Sequence, residues 1–517
     1  MTEFDLMPLT ILTGANSSGK SSLFKALLLM GNNVESNSFY KLDFTGTQHN
    51  LGSFQDAINK KCDKEKIVFR FYLNYPFQST RKYPMPSGRK LTNIYLSSDI
   101  ETETKMILEV SYKEDNSNGL LSSLSIYVQD RANKTTLIFA ETNELDSQKK
   151  MHRLTINIRW FAKNYDVIQS FRRFPNRTEK KIVNDFNEDD LKTFEIPYSK
   201  NIDKNVRGYR KFSLQGTDDV GYILNYFFAN QDNFISKDDL KILGVDRSQY
   251  AHSSGAFRDI EYFIRYDLLR EAGYHFENTE YVEAVRAKSR RIYTHDSQTT
   301  LFDELLLDYN SVQLDLQAET FLQKWIKEFE IADDVKFEKI AGGIATQVIF
   351  YKNGDKYPLA DLGYGVTQYL PLLLKIALQI TTESSSDRIR TPFREKPLKK
   401  TIILEEPETN LHPKLQSRLA DMILDALQNF EIKFIIETHS EYFIRRLQIL
   451  TAEKKANSEE IALYYFYEPH KIPQGQKQVE KINILPDGNL DNDFGSGFFD
   501  EATNMKFELL KLKTKKK

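Results

Sequence analysis

Nine residues near the start of the chain, Gly14-Ala15-Asn16-Ser17-Ser18-Gly19-Lys20-Ser21-Ser22, constrain its fold more than any other stretch. The apolar run Leu9-Thr10-Ile11-Leu12 precedes them and an apolar-periodic segment, Leu23 to Met30, follows. Strand, glycine-rich turn and helix in that order are the context in which a GxxxxGK[ST] string becomes a phosphate-binding loop. The backbone N–H groups from Gly14 through Asn16, Ser17, Ser18 and Gly19 to Lys20 wrap a β-phosphate, with Ser22 in the helix N-terminus that faces it. Lys20 then reaches the β- and γ-phosphates, and the Ser21 hydroxyl holds Mg²⁺. The expected ligands are a nucleoside triphosphate and Mg²⁺.

The chain has 517 residues, more than one hydrophobic core usually serves, so a domain with a large insertion or a second domain is expected. Lys and Arg total 71 against 73 Asp and Glu, which excludes the global basic signature of a nucleic-acid binder and leaves only local patches. A single cysteine, Cys62, excludes an internal disulfide framework. No run approaches the roughly 18 apolar residues that span a bilayer, and no basic region followed by a leader-like apolar segment opens the chain. A cytoplasmic protein without a membrane partner is expected.

Residues 1–148 read as the first half of a nucleotide-binding head. After the loop and its helix, strand-like runs occur at Ile67 to Leu73, Lys105 to Val110, Leu124 to Val128 and Thr136 to Phe139. Residues 149–335 change to long helical patterns rich in Tyr, Phe, Lys and Glu, for example Phe257 to Ala272 and Thr299 to Phe329, and form a compact, mostly helical insertion in which Trp325 is core. Residues 336–470 return to strand patterns and form the second half of the head. Residues 471–517 are a C-terminal extension ending in a small basic tail.

The second half carries further chemistry. Thr401 to Glu406 is an apolar strand ending in two carboxylates, which alternation lets take different jobs. Glu405 faces Ser21 and holds Mg²⁺, while Glu406 orients or deprotonates the attacking water. Phe434 to Ser440 is another apolar strand, running into His439, whose imidazole can donate to a γ-phosphate. Between the loop and these strands, Gly363 and Gly365 precede Gln368 and an apolar helix from Tyr369 to Ile380. That turn is either an anion-accepting helix N-terminus or a plain helix start.

These strings together resemble the ATP-binding-cassette class of P-loop ATPases, in the branch with recombination and chromosome-organising ATPases and overcoming-lysogenization-defect proteins. Within it, the chain is similar to bacterial AAA-family ATPases that carry a C-terminal domain of unknown function numbered 3696. The similar strings are GANSSGKSSLFKALLL (Gly14 to Leu29), LGSFQD (Leu51 to Asp56), ADLGYGVTQYLPLLL (Ala360 to Leu374), ILEEPETNLHPKLQSRLAD (Ile403 to Asp421), FIIETHSEYFIRRLQ (Phe434 to Gln448) and GFFDE (Gly497 to Glu501). The implied fold is α/β: a P-loop NTPase with an ABC-ATPase-like mixed-sheet head, flanking antiparallel strands and a compact helical insertion.

The resemblance also implies a head-to-tail homodimer, or a higher oligomer, with two ATPs sandwiched between subunits. Each phosphate loop would face the other subunit's signature turn, here Gly363 to Gln368, with Gly363 where the class usually has serine and Thr367 as a remaining hydroxyl. Asn410 to His412 would communicate between the sites, and the coupling glutamine is Gln48 or Gln55. Only Met1 to Pro8 precede the loop strand, so the usual edge strand is reduced or supplied from elsewhere. The implied function is a slow regulatory or sensor ATPase in bacterial anti-phage defence, acting with a separate effector, a nuclease or toxin. The alternative is a DNA-associated recombination or repair ATPase contacting duplex through Arg172, Arg173, Arg177, Arg286, Lys288, Arg290 and Arg291.

Overall fold

The computed structural model describes residues 3–35, 41–45, 50–58, 66–75, 104–115, 117–129, 133–145, 150–161, 164, 191–197, 263–268, 272–273, 276, 279–284, 288, 290–294, 300–312, 314–340, 342, 344–388, 400–495 and 499–514. The chain divides into two compact units, Met1–Ala26 with Asn278–Lys517, and Leu27–Glu277. It opens with β1 (Leu9–Gly14) and α1 (Lys20–Glu35). Next come β2 (Lys41–Leu42), α2 (Phe54–Ala57), β3 (Ile67–Tyr75), β4 (Thr104–Asp115), β5 (Asn118–Gln129), β6 (Thr135–Leu145), β7 (Lys150–Asn157) and β8 (Leu191–Pro197). The remainder contains β9 (Thr279–Val282), β10 (Tyr293–Thr294), α3 (Leu301–Ser311), α4 (Leu316–Glu328), β11 (Asp334–Ile340), β12 (Ala345–Lys352), β13 (Asp355–Pro358) and α5 (Tyr364–Arg388). It closes with β14 (Thr401–Glu405), α6 (Pro413–Phe430), β15 (Lys433–Glu437), α7 (Glu441–Ala452), β16 (Ile461–Phe466), β17 (Val479–Ile482) and α8 (Glu501–Thr514).

The first unit is built on a six-stranded mixed sheet in the order β17-β16-β1-β15-β14-β9. All neighbours are parallel except β17, which pairs antiparallel with β16 and forms one edge, β9 forming the other. Covering both faces of a parallel sheet demands continuous apolar strands. Ile402-Ile403-Leu404, Phe434-Ile435-Ile436 and all of Ile461–Phe466 are accordingly buried. Helix α6 buries Leu419, Ala420, Met422, Ile423 and Ala426 along one stripe, and α7 buries Phe443, Ile444 and Leu447. Thr300 and Asp303 cap α3 reciprocally, so its first turn satisfies its own free N–H groups. Trp325 is core, as expected, and its indole N–H donates to Asp425 at 2.7 Å. A smaller antiparallel sheet, β10-β12-β11 with β13 against β12, joins the same unit.

The second unit holds a seven-stranded antiparallel sheet, β3-β4-β5-β6-β7-β8 with β2 pairing β5. Along β5 buried and half-buried residues alternate, the pattern of a strand with one face in a core. The segment expected to be mostly helical from 149 to 335 differs where it is described. Lys150–Asn157 and Leu191–Pro197 are strands, because both continue an antiparallel meander that begins at β3. Thr279–Val282 is a strand of the first unit's sheet, and α3 and α4 belong to that unit as well. Residues 471–482 are likewise no appendage, since β17 extends that sheet. Cys62 lies outside the described residues. Among the described residues no helix is long and apolar enough to cross a membrane.

Candidate nucleotide-binding site

The loop leaves β1 at Gly14 with φ +126°, and positive φ recurs at Ser17 and Gly19. Backbone in these conformations turns successive N–H groups inward, which makes an anion-accepting concavity. The loop braces itself: the Ser18 hydroxyl donates to Ala15 O at 2.7 Å and Ser22 N to Gly19 O at 3.1 Å. Gln478, just before β17, donates from Nε2 to Ser18 O at 2.9 Å. Lys20, the first residue of α1, curls back so that Nζ donates to Ala15 O at 2.7 Å and Gly14 O at 3.3 Å. Burial pulls its pKa below the ordinary lysine value, and the Glu437 carboxylate opposes that shift. Asn16, Ser17, Gly19 and Ser22 stand exposed around it.

Parallel pairing brings the C-terminal ends of β1, β15 and β14 together, the edge at which open α/β sheets bind ligands. Glu405 ends β14 and accepts a hydrogen bond from the Tyr281 hydroxyl on β9. Burial first, and that carboxylate second, hold the Tyr281 phenol far above its ordinary pKa. Glu406 follows with φ +42°; its N–H donates to Glu437 O at 2.9 Å and its carboxylate accepts from Thr409 Oγ1 at 3.1 Å. The two glutamates thus have separate partners, Glu405 at the end of β14 and Glu406 just past it.

The Ser21 hydroxyl, expected opposite Glu405, donates to Glu437 Oε2 at 3.0 Å. Glu437 Oε1 also stands 3.7 Å from Lys20 Nζ. The cause is strand order: β15 lies between β1 and β14, so its terminal carboxylate comes next to the loop. Burial raises the Glu437 pKa, with Ser21 and Lys20 working against the rise. Sequence reasoning missed this residue, although it ends an apolar strand two positions before His439, the same placement that singled out Glu405.

His439 is half-buried, and its backbone N–H donates to Glu408 Oε1 at 2.6 Å. Burial, then the nearby Lys20 charge, lowers the imidazole pKa and favours its neutral form. Beside it, Ser440 Oγ donates to Gln416 Oε1 at 2.6 Å, and Gln416 Nε2 donates to Leu411 O at 2.9 Å. The end of β15 is therefore tied to the Asn410–His412 loop at two places, through buried Glu408 and through Gln416.

The glycine turn begins a longer helix than expected, because α5 starts at Tyr364. Gly363 is exposed, and Tyr364 is 54% exposed. Thr367 and Gln368, assigned to the same surface by sequence, are 0% and 1% exposed: one turn inside the helix, both side chains fall on its buried face. Gly363, Gly365, Tyr369, Asn410 and His412 line one cavity of about 240 Å³. Gln55 is bonded to Glu114, and Gln48 lies outside the described residues. Arg290 pairs with Asp303 and Arg291 with Asp361, while Arg172, Arg173, Arg177 and Arg286 lie outside the described residues.

Ser21, Glu405 and Glu437 present hard oxygen atoms, the donor type Mg²⁺ prefers, beside a loop built for phosphate. Among the described residues no three His, Cys, Asp or Glu side chains group closely enough to hold a metal alone. A cation here would thus share its ligands with nucleotide oxygens, the usual arrangement for Mg²⁺.

A phosphate loop at the C-terminal edge of the parallel strands, with paired carboxylates at the end of the second strand over, defines a P-loop nucleotide-binding fold. The family described as AAA ATPase domain matches residues 1–444, and the chain belongs to it. The family described as a protein of unknown function (DUF3696) matches residues 457–509. A search of curated proteins returns no significant match. Among solved structures, the chain is similar to the Smc head domain with an extended coiled coil bound to the C-terminal domain of ScpA from Pyrococcus furiosus. Identity there is 9% and the TM-score 0.26, over 98% of this chain and 94% of that one. It is also similar to the Smc head domain with a coiled coil and joint from Pyrococcus yayanosii, at 9% identity and a TM-score of 0.32, over 94% of each chain.

Proposed function

We propose that this AAA ATPase is an ATP- and Mg²⁺-dependent switch that closes as a head-to-tail homodimer and, slowly hydrolysing, gates a separate effector in bacterial anti-phage defence. The observation that carries the dimer is the exposed start of α5. Gly363 and Tyr364 face solvent at a helix N-terminus, with no atom within 4 Å of where a Gly363 side chain would begin. Such an end accepts anions, and a second copy's nucleotide would supply the phosphate. Within one subunit, Lys20 would take up phosphate, Ser21 and Glu405 would hold the cation, Glu406 would orient water and neutral His439 would contact the γ-phosphate. A cation there would neutralise phosphate charge. A ligand favouring the closed form alone shifts the population towards it, which is what a switch requires.

The defence role and the nuclease or toxin partner rest on the motif resemblance. For the DNA-repair alternative, Arg290 and Arg291 are paired with carboxylates and Lys288 is exposed. With ATP, Glu406→Gln should elute as a stable dimer in light scattering, whereas Lys20→Ala should neither bind nucleotide nor dimerise. A Glu406→Gln protein that hydrolyses ATP at the parental rate removes the water-orienting role. Co-purification from the native host then decides the partner, and recovery of repair proteins in place of a nuclease or toxin would transfer the assignment to DNA.

A further inference from the structure

We propose that Glu437 is the residue that positions Ser21 for the cation, by accepting the hydrogen bond of its hydroxyl. This deepens the ATP and Mg²⁺ reading above and rests on it. A serine hydroxyl has one proton and two lone pairs. To give a lone pair to a cation it must point its proton elsewhere, and in this protein the proton points to Glu437 Oε2 at 3.0 Å.

Topology explains why Glu437 has this task. Strands in a sheet are spaced by ~4.8 Å, so a residue on the strand next to β1 stands half as far from the loop as one on the second strand over. Glu437 is in register with Leu12 on one side and Glu405 on the other, which puts it between the phosphate loop and Glu405. Glu405 is meanwhile held from its far side by the Tyr281 hydroxyl. The same Glu437 carboxylate has its other oxygen 3.7 Å from Lys20 Nζ. One buried side chain thereby arranges both loop residues that meet the nucleotide: it fixes the Ser21 rotor and gives the Lys20 ammonium a counter-charge before phosphate arrives.

Groups that orient a metal ligand from behind typically change metal affinity by about 10–100-fold when removed. Glu437→Gln should therefore weaken Mn²⁺ binding to the protein–ADP complex by that factor in an electron paramagnetic resonance titration. The affinity for fluorescent ADP in EDTA should not fall, because the substitution removes a negative charge near the phosphates. A residue needed only for folding would lower both. Ser21→Ala supplies the second arm: if Glu437 works through Ser21, adding Glu437→Gln to Ser21→Ala should cause no further loss of Mn²⁺ affinity. Parental Mn²⁺ affinity in Glu437→Gln, or losses that simply add in the double variant, would overturn the proposal and leave the task to Glu405. A parental protein whose ADP affinity is indifferent to Mn²⁺ would instead bring down the Mg²⁺ reading itself.

Discussion

At Gly14 the chain leaves β1 with φ +126°, and a side chain would begin 2.3 Å from Phe466 O. Neither the conformation nor the space admits a Cβ. Gly14→Ala should lower stability by about 3 kcal/mol or more, read as a fallen thermal midpoint with and without ATP. An unchanged midpoint would mean that the loop is set by something other than its contact with β16. The next residue-scale expectation concerns His439. Because its folded pKa is depressed by burial and by Lys20, its contribution to stability is complete above the unfolded value, about 6.5. That contribution is lost as pH falls through the depressed folded value. Parental protein should therefore lose thermal stability more steeply than His439→Gln as pH falls below about 6.5. Parallel pH profiles would show that the imidazole takes up its proton in the fold as readily as in the unfolded chain, so that burial and Lys20 do not depress its pKa.

At the scale of elements, the phosphate loop and the paired carboxylates were legible because each is a local string: a turn with fixed glycines, an apolar run closed by Glu405-Glu406. The neighbour relation of β1, β15 and β14 was not, since three short apolar strands look alike and nothing local orders them across a sheet. Glu437 was hidden for that reason. Likewise Thr279–Val282 belongs to the central sheet only through its pairing with β14, a contact between residues more than a hundred apart. The start of α5 was misplaced by five residues, since glycines at 363 and 365 mark a turn by propensity while packing of Thr367 and Gln368 makes them part of the helix. The C-terminal region gives the clearest test. β16 pairs with β1 over all six residues, Leu9↔Ile461 to Gly14↔Phe466, and is buried throughout. A chain ending at residue 456 would expose the side of β1 from which the phosphate loop springs. It should fail to fold by circular dichroism and bind no nucleotide; a soluble, ATP-binding truncation would show that the region is a separable module.

On the scale of the whole molecule, the chain departs from its first unit within α1 and returns to it before β9, so the ATP-site residues come from both ends of the sequence. Phosphate loop and carboxylates converge within one subunit, whereas the exposed start of α5 is where the proposed dimer would receive its second copy. Gly363 is the position that tests this. It has no positive φ, and a Cβ there meets nothing within 4 Å, so the fold itself does not require glycine. Gly363→Ser should leave the thermal midpoint unchanged. In the proposed dimer it would add a hydroxyl donor to the γ-phosphate of the facing subunit. A hydrogen bond to a charged group contributes roughly 1.5–3 kcal/mol, and the dimer's two composite sites would gain one each, about 100-fold or more in association. In the Glu406→Gln background, the ATP-dependent dimer should accordingly persist at about 100-fold lower protein concentration in analytical ultracentrifugation. A dimer constant that does not move, in a protein that still folds and binds ATP, would show that α5 begins away from the second copy's nucleotide, and the composite site would have to be rebuilt on another surface.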